Sequence, residues 1–188
     1  MSTLDDRLGD TAGVVEVREA VPDDAMALAQ VHVRSWRAGY RGLVAQSYLD
    51  ALDPEERAKR FVLEAMELRG PYTLVAVDHG AICGHVTIGQ SRDDDMPDSG
   101  EVWALYVDPQ RWGTGIGRAL LAAGCDRLRT AGHQRAFLWV LSANDGARRF
   151  YERAGWSADG RERFDVFGDT PVRKSSYGTL LEDSGSHT

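Results

Sequence analysis

The spacing of apolar and polar positions changes several times along this chain, and each change marks an element. Val14-Val-Glu-Val-Arg-Glu19 alternates and predicts a strand. Pro22-Asp23-Asp24 then opens a helical pattern through Met26, Leu28, Ala29, Val31 and His32, running to about Trp36 or Ala38 and stopped by Gly39. Ser47 to Leu52 reads as a helical turn. Asp53-Pro54-Glu55-Glu56 sets an N-cap before proline and predicts a second helix carrying Phe61, Val62, Ala65 and Leu68, ending near Gly70. Tyr72–Val77 and Ala81–Ile88 read as strands joined by a hairpin turn at Asp78-His79-Gly80. Gln134–Leu141 is a continuous apolar strand, and Ser142-Ala-Asn144-Asp145 starts a helix with Phe150, Tyr151 and Ala154, ended by Gly155. Trp156 begins a further strand region, and Arg161–Val166 with Val172–Leu180 form a closing pair. Residues 1–13 and 182–188 are polar and are expected as flexible tails around one domain, 14–181. Strands with helices between them and hairpins at both ends predict a mixed α/β sheet.

The most informative stretch is Glu101 to Arg118. A strand, Glu101–Val107, is broken at Asp108-Pro109, and Gly113-Thr114-Gly115-Ile116-Gly117 leads directly into the helical positions Ile116, Ala119, Leu120 and Ala123. Glycines let a backbone approach a ligand closely, and the first N–H groups of a helix point at an anion. A tight turn with no ligand accounts for these glycines equally well. Two nucleotide loops do not fit. The dinucleotide fingerprint needs its third glycine later and its loop nearer the start of a parallel sheet, and a P-loop needs Lys-Ser/Thr where Arg118-Ala119 stand.

Composition narrows the classes further. The 188 residues carry a net charge of −7, and no basic run or stripe suggests a nucleic-acid partner. The two cysteines, Cys83 and Cys125, form no CxxC, so neither a disulfide scaffold nor a zinc site is indicated. No apolar run approaches the ~20 residues of a membrane span, and a cytoplasmic protein with no metal is expected. Arg92-Asp-Asp-Asp-Met-Pro-Asp-Ser-Gly100 reads as a solvated acidic loop, with attraction of an amine as its alternative. Trp36 and Tyr40 flank Gly39 among Arg34, Arg37 and Arg41, either closing the core or walling a pocket.

Val-Asp-Pro, a short spacer, then Gly-x-Gly-Ile-Gly-Arg-x-Leu-Leu resembles the pyrophosphate loop of the GNAT family of acetyl-CoA-dependent N-acetyltransferases. That family usually has Gln or Arg where this chain has Trp112. Asn144-x6-Tyr151-Glu-Arg-Ala-Gly155-Trp156 resembles its second signature. The resemblance implies a mixed, mostly antiparallel sheet of about seven strands flanked by helices, with the fourth and fifth strands splayed. It further implies acetyl-CoA as co-substrate and direct transfer to a primary amine. Cofactor contacts are implied at Leu105, Tyr106, Val107, Gly113, Thr114, Gly115, Ile116, Gly117, Arg118, Asn144 and Tyr151, with Tyr151 as the acid for the leaving thiolate. The histone-acetylating branch places a base glutamate where Glu101 stands; the ribosomal-protein branch places one where Trp139 stands, so that second mechanism is not available, and Glu101 or a water chain is left to take the proton. Glu101, Trp103 and Leu105 are expected on one strand face, with Trp103, Trp36 and Tyr40 at the acceptor; His85 is a reserve base. The acidic and aromatic loops lean toward a small cationic amine, and family habit toward a homodimer. Alternatives are a non-catalytic CoA-binding sensor, a protein N-terminal or lysine acetyltransferase, and a longer-chain acyltransferase.

Overall fold

A computed structural model describes residues 15–66 and 72–181, with the side chains of 62–66 left aside. The tails and the expected helix end near Gly70 lie outside the described residues. The elements run β1 (Glu16–Glu19), a 3-10 turn (Pro22–Asp24), α1 (Ala25–Gly39), α2 (Gln46–Asp50), α3 (Pro54–Met66), β2 (Tyr72–Asp78), β3 (Ala81–Gln90) and β4 (Gly100–Val107). A second 3-10 turn (Pro109–Arg111) follows, then α4 (Ile116–Thr130), β5 (Arg135–Leu141), α5 (Asp145–Arg153), β6 (Ser157–Phe167) and β7 (Thr170–Leu180).

The seven strands form one sheet in the order β1-β2-β3-β4-β5-β7-β6. Every neighbouring pair is antiparallel except β4 and β5. Those two pair only from Gly100↔Ala136 to Val102↔Leu138 and then part, as the resemblance implied. The larger core lies between the sheet and α4 and α5: Val86, Ile88, Val102, Leu138, Val140 and Tyr177 pack against Ile116, Leu120, Leu121, Leu128 and Tyr151. On the opposite face α1 and α3 bury Leu28, Ala29, Ala58 and Phe61 against Val75.

Local chemistry explains the element ends. The Asp24 carboxylate accepts from the Val21 N–H at 2.9 Å and from Arg18 at 2.7 and 3.0 Å, fixing the entry into α1. His79 and Gly80 both have positive φ, 50° and 79°, the conformation of a two-residue hairpin turn. Asn144 caps α5 by accepting from the Ala147 N–H at 3.1 Å. At its far end Trp156 N–H bonds back to the Tyr151 carbonyl at 3.0 Å past the left-handed Gly155. The two strand regions expected after Trp156 are one long strand, β6, interrupted by an irregularity between Ala158 and Glu162.

Candidate active site

The opening between β4 and β5 is the centre of the candidate site, and one extra residue decides what faces it. Ile88 pairs with Val102 and Thr87 with Ala104, so Trp103 is left unpaired as a β-bulge. The bulge reverses the alternation. Glu101, Ala104 and Tyr106 lie on the α1 side, opposite Gly89, Thr87 and His85, while Val102 and Leu105 turn to the α4 core. The expectation that Glu101, Trp103 and Leu105 share a face is therefore corrected at Leu105, while the Trp103 ring stays on the Glu101 side, against Gly89. Strict period-two counting fails wherever a bulge inserts a residue.

Beyond the opening, the chain turns into α4 through the glycine loop. Gly113 and Gly115 have φ of 80° and 90°, which other residues adopt only under strain. A Cβ at either would meet nothing within 4 Å, so the loop's outer side is open to a ligand. The first backbone bond of α4 here runs from Ala119 N–H to the Gly115 carbonyl at 3.0 Å. The N–H groups of Ile116, Gly117 and Arg118 come earlier in the helix and have no acceptor within it. Gly117 sits inside that first turn, where a Cβ would stand 3.4 Å from the Phe150 ring. Thr114 Oγ1 donates to the Arg111 carbonyl at 2.7 Å, and Arg111 reaches the buried Asp78. Trp112 is half exposed, yet its indole N–H donates to the Val107 carbonyl at 2.8 Å. The departure from Gln or Arg at this position thus gives the loop a brace to the end of β4. Arg118 lines a groove of about 340 Å³ along α4 with Leu121, Cys125, Arg129 and Trp156. That groove extends toward the C-terminal end of α5, away from the strand opening.

From the α5 side comes Tyr151, buried beside Phe150, Trp156 and Tyr177 at ring separations of 5.1, 6.2 and 6.4 Å. Burial first, and the Tyr106 phenol second, raise its pKa above the ordinary phenol range, so it keeps its proton. Tyr106 belongs to the other face of the sheet, so the two phenols sense each other across the parted strands. No hydrogen bond occupies the Tyr151 hydroxyl among the described residues. The Asn144 carbonyl oxygen is used by the cap, which leaves its amide NH₂ group.

On the α1 side an aromatic wall surrounds Tyr106. Trp36 lies 4.7 Å from Tyr40, 5.0 Å from Phe167 and 6.2 Å from Tyr106. Burial first and the Tyr106 hydroxyl next hold the Tyr40 phenol well above its ordinary value. His32 and His85 stack beneath at 6.0 Å, both buried, and burial lowers them to about 2 and about 3. Neutral imidazoles held so low are poor proton acceptors, which counts against His85 as a base. Trp36 and Tyr40 thus come together with Tyr106, whereas Trp103 does not join them. Its ring lies against Gly89, its N–H donates to the Gln90 carbonyl at 3.2 Å, and Arg92 stacks on it at 4.1 Å.

Glu101 is 2% exposed and occupied. Arg92 donates to it from Nη2 at 2.7 Å, from Nε at 3.2 Å and from its backbone N–H at 2.9 Å. Three donors on one carboxylate fix its position and occupy its lone pairs. Sequence reasoning missed Arg92, Ser35, Phe167 and Tyr48, whose ring stacks on Phe167 at 6.0 Å, because each acts through contacts between separate elements. A signal existed for Phe167 alone, an aromatic ending the closing strand pair. Among the described residues no group of three His, Cys, Asp or Glu side chains could hold a metal, and no helix is long and apolar enough to cross a membrane.

With this geometry in hand, comparisons place the chain among known proteins. Residues 31–156 match the model of the Acetyltransferase (GNAT) family. YuaI of Bacillus subtilis strain 168, an uncharacterized N-acetyltransferase, is 32% identical over 156 residues, covering 82% of this chain and 87% of that protein. The mycothiol acetyltransferase of Propionibacterium freudenreichii is 46% identical over 109 residues, but this chain spans only 34% of its length. The PaiA N-acetyltransferase of Thermoplasma acidophilum, solved with coenzyme A, superposes with a TM-score of 0.70 at 19% identity over 89% of this chain and 99% of that one. The chain belongs to the GNAT family of acetyltransferases and is an acyltransferase of that family.

Proposed function

We propose that this protein moves an acetyl group from acetyl-CoA to the primary amine of a small molecule that is cationic at that amine, by direct attack. The observation that carries the reading is the parting of β4 and β5 after Val102 and Leu138, with the glycine loop at one end and Tyr106 and Tyr151 on its two sides. The Thermoplasma relative's bound coenzyme A supports the choice of donor.

In this reading the N–H groups of Gly113 to Arg118 receive the pyrophosphate, and the Asn144 amide holds the pantetheine arm. The backbone N–H groups of Leu105 and Val107, which alternate with those of Tyr106 and Asp108 turned toward β3, face the strand opening and receive the acetyl oxygen as it gains charge. Trp36 and Tyr40 wall the acceptor. The neutral amine nitrogen bonds to the acetyl carbon, the C–S bond breaks, the thiolate takes the Tyr151 proton, and the nitrogen releases its surplus proton to solvent, which reprotonates Tyr151. The acceptor is an ammonium at pH 7, with a pKa of about 8–10, and must lose a proton first. Glu101 is the base that the resemblance implies. Its occupation by Arg92 favours a second route, in which the proton passes to water in the open site.

The test is a thermal-shift titration with acetyl-CoA, CoA, NAD and ATP, followed by CoA release with an amine panel. Stabilisation by both CoA species alone, and release that depends on an amine, is the expected result. Stabilisation without release from any amine would favour a CoA-binding sensor. No shift with CoA would leave the glycine loop a structural turn.

A further inference from the structure

The sheet face that meets the acceptor continues past the opening, onto β5, β7 and β6. Trp139 is the first residue of β5 beyond the last β4–β5 pair. Arg163 of β6 holds its guanidinium carbon 4.4 Å from the Trp139 ring. Arg163 pairs with Lys174, whose ammonium lies 4.9 Å from the Phe167 ring, and Phe167 is 5.0 Å from Trp36. Arg163, Trp139, Lys174, Phe167 and Trp36 therefore form one wall beside the opening.

The charges of this wall are matched, with one exception. Glu101 is held by Arg92 at 2.7 Å, and Asp165 by Lys174 at 2.6 Å. Asp159 and Asp93 are held by Arg161 at 2.8 and 3.3 Å, so the first aspartate of the acidic loop is already spoken for. Arg163 makes no hydrogen bond or close ion pair among the described residues, and contributes only a longer-range attraction to Asp165, behind that of Lys174. Beneath it, the Trp139 indole N–H is buried without a hydrogen-bond partner among those residues. The wall thus carries a spare guanidinium and a spare N–H donor, but each of its carboxylates already has a partner. A polyamine or aminoglycoside, which brings further ammonium groups, finds no unpaired carboxylate on this wall.

Resting on the acetyltransferase reading above, we propose that the acceptor carries a carboxylate beside its primary amine, as an amino acid does, and that Arg163 over Trp139 binds that carboxylate. A guanidinium presents paired donors that match the two carboxylate oxygens, and stacking on the indole pre-orients it. With its carboxylate at Arg163, an α-amine lies on the side of the strand opening. The side chain of the same molecule meets the apolar wall of Trp36, Tyr40 and Phe167.

The experiment measures kcat/KM with methionine, leucine and phenylalanine against the amines that lack only the carboxylate, 3-(methylthio)propylamine, isopentylamine and phenethylamine. The expected preference is at least about tenfold for the carboxylated member of some pair, the size of a charge-assisted interaction. Arg163→Gln should bring that ratio to about one, and because Arg163 is exposed the variant should retain its CoA-dependent thermal shift. Equal or better use of all three decarboxylated amines, or a preference that survives Arg163→Gln, would overturn the inference and leave the acetyltransferase reading intact. Failure of every amine in a wider panel, with CoA binding retained, would overturn the acetyltransferase reading and this inference with it.

Discussion

The hydroxyl of Ser35 on α1 donates a 2.7 Å hydrogen bond to the carbonyl of Val107, the last residue of β4. The Trp112 indole donates to the same carbonyl at 2.8 Å from the cofactor side. One oxygen thus ties the helix that carries Trp36 to the loop that carries the glycines. Replacing one donor leaves the other, so Ser35→Ala and Trp112→Phe should each cost about 1 kcal/mol. Together they leave the carbonyl unsatisfied, and the double variant should cost more than the sum. Urea unfolding of the four proteins measures this coupling, and strictly additive losses would remove the shared carbonyl as the link. A several-fold rise in the KM for acetyl-CoA should accompany the double variant.

Tyr151→Phe removes one hydroxyl from a buried ring. Turnover should fall by about 10²-fold or more, in the range of a lost general acid, while CoA still stabilises the protein against heat. A variant with wild-type turnover would dismiss Tyr151 as the acid.

The buried histidine pair makes stability depend on pH. Unfolded, both titrate near 6.5; folded, burial first and the Arg57 guanidinium second lower His32 to about 2 and His85 to about 3. Between those limits the unfolded chain binds more protons. The stability held above pH 6.5 is therefore lost progressively as pH falls toward 3, by up to about 1.4 kcal/mol per pH unit for each imidazole. His85 also faces His32, Tyr106 and Phe61, and His32 feels Arg60. The lowered carboxyls Asp24, Asp159 and Asp165 add to this only as pH falls below 3.8. Unfolding midpoints at pH 7, 6 and 5 isolate the histidines, and a flat profile there contradicts the assignment.

Glu101→Gln separates anchoring from base catalysis. The amide keeps the size of the side chain but loses the charge that three Arg92 donors converge on. The expected outcome is a loss of about 1–3 kcal/mol in stability with a pH–rate profile of unchanged shape. Loss of the alkaline-rising limb without loss of stability would restore Glu101 as the base.

Much of the fold was legible because its signals are local. Asp53-Pro54, Asn144 and Gly155 act on backbone within a few residues, and they set helix ends where the sequence pattern placed them. The glycine loop was legible for the same reason: positive φ at Gly113 and Gly115 is a property of those residues and their neighbours. Trp103 shows where such reading stops. A bulge depends on how β3 and β4 register, and it moved Trp103 away from the Trp36–Tyr40 wall and put Leu105 on the face opposite Glu101.

By itself, then, the sequence determined the order of elements, the caps, the loop poised for an anion and the family they mark, because each rests on short-range sterics and hydrogen bonding. Tertiary structure alone decided the chemistry around them. Ser35 meets Val107 across 72 positions, Arg161 meets Asp93 across 68, and Arg34 meets Asp108 across 74. Which carboxylate is occupied and which guanidinium is left over follows from such long-range meetings, since an ion pair exists only where folding brings both partners within reach.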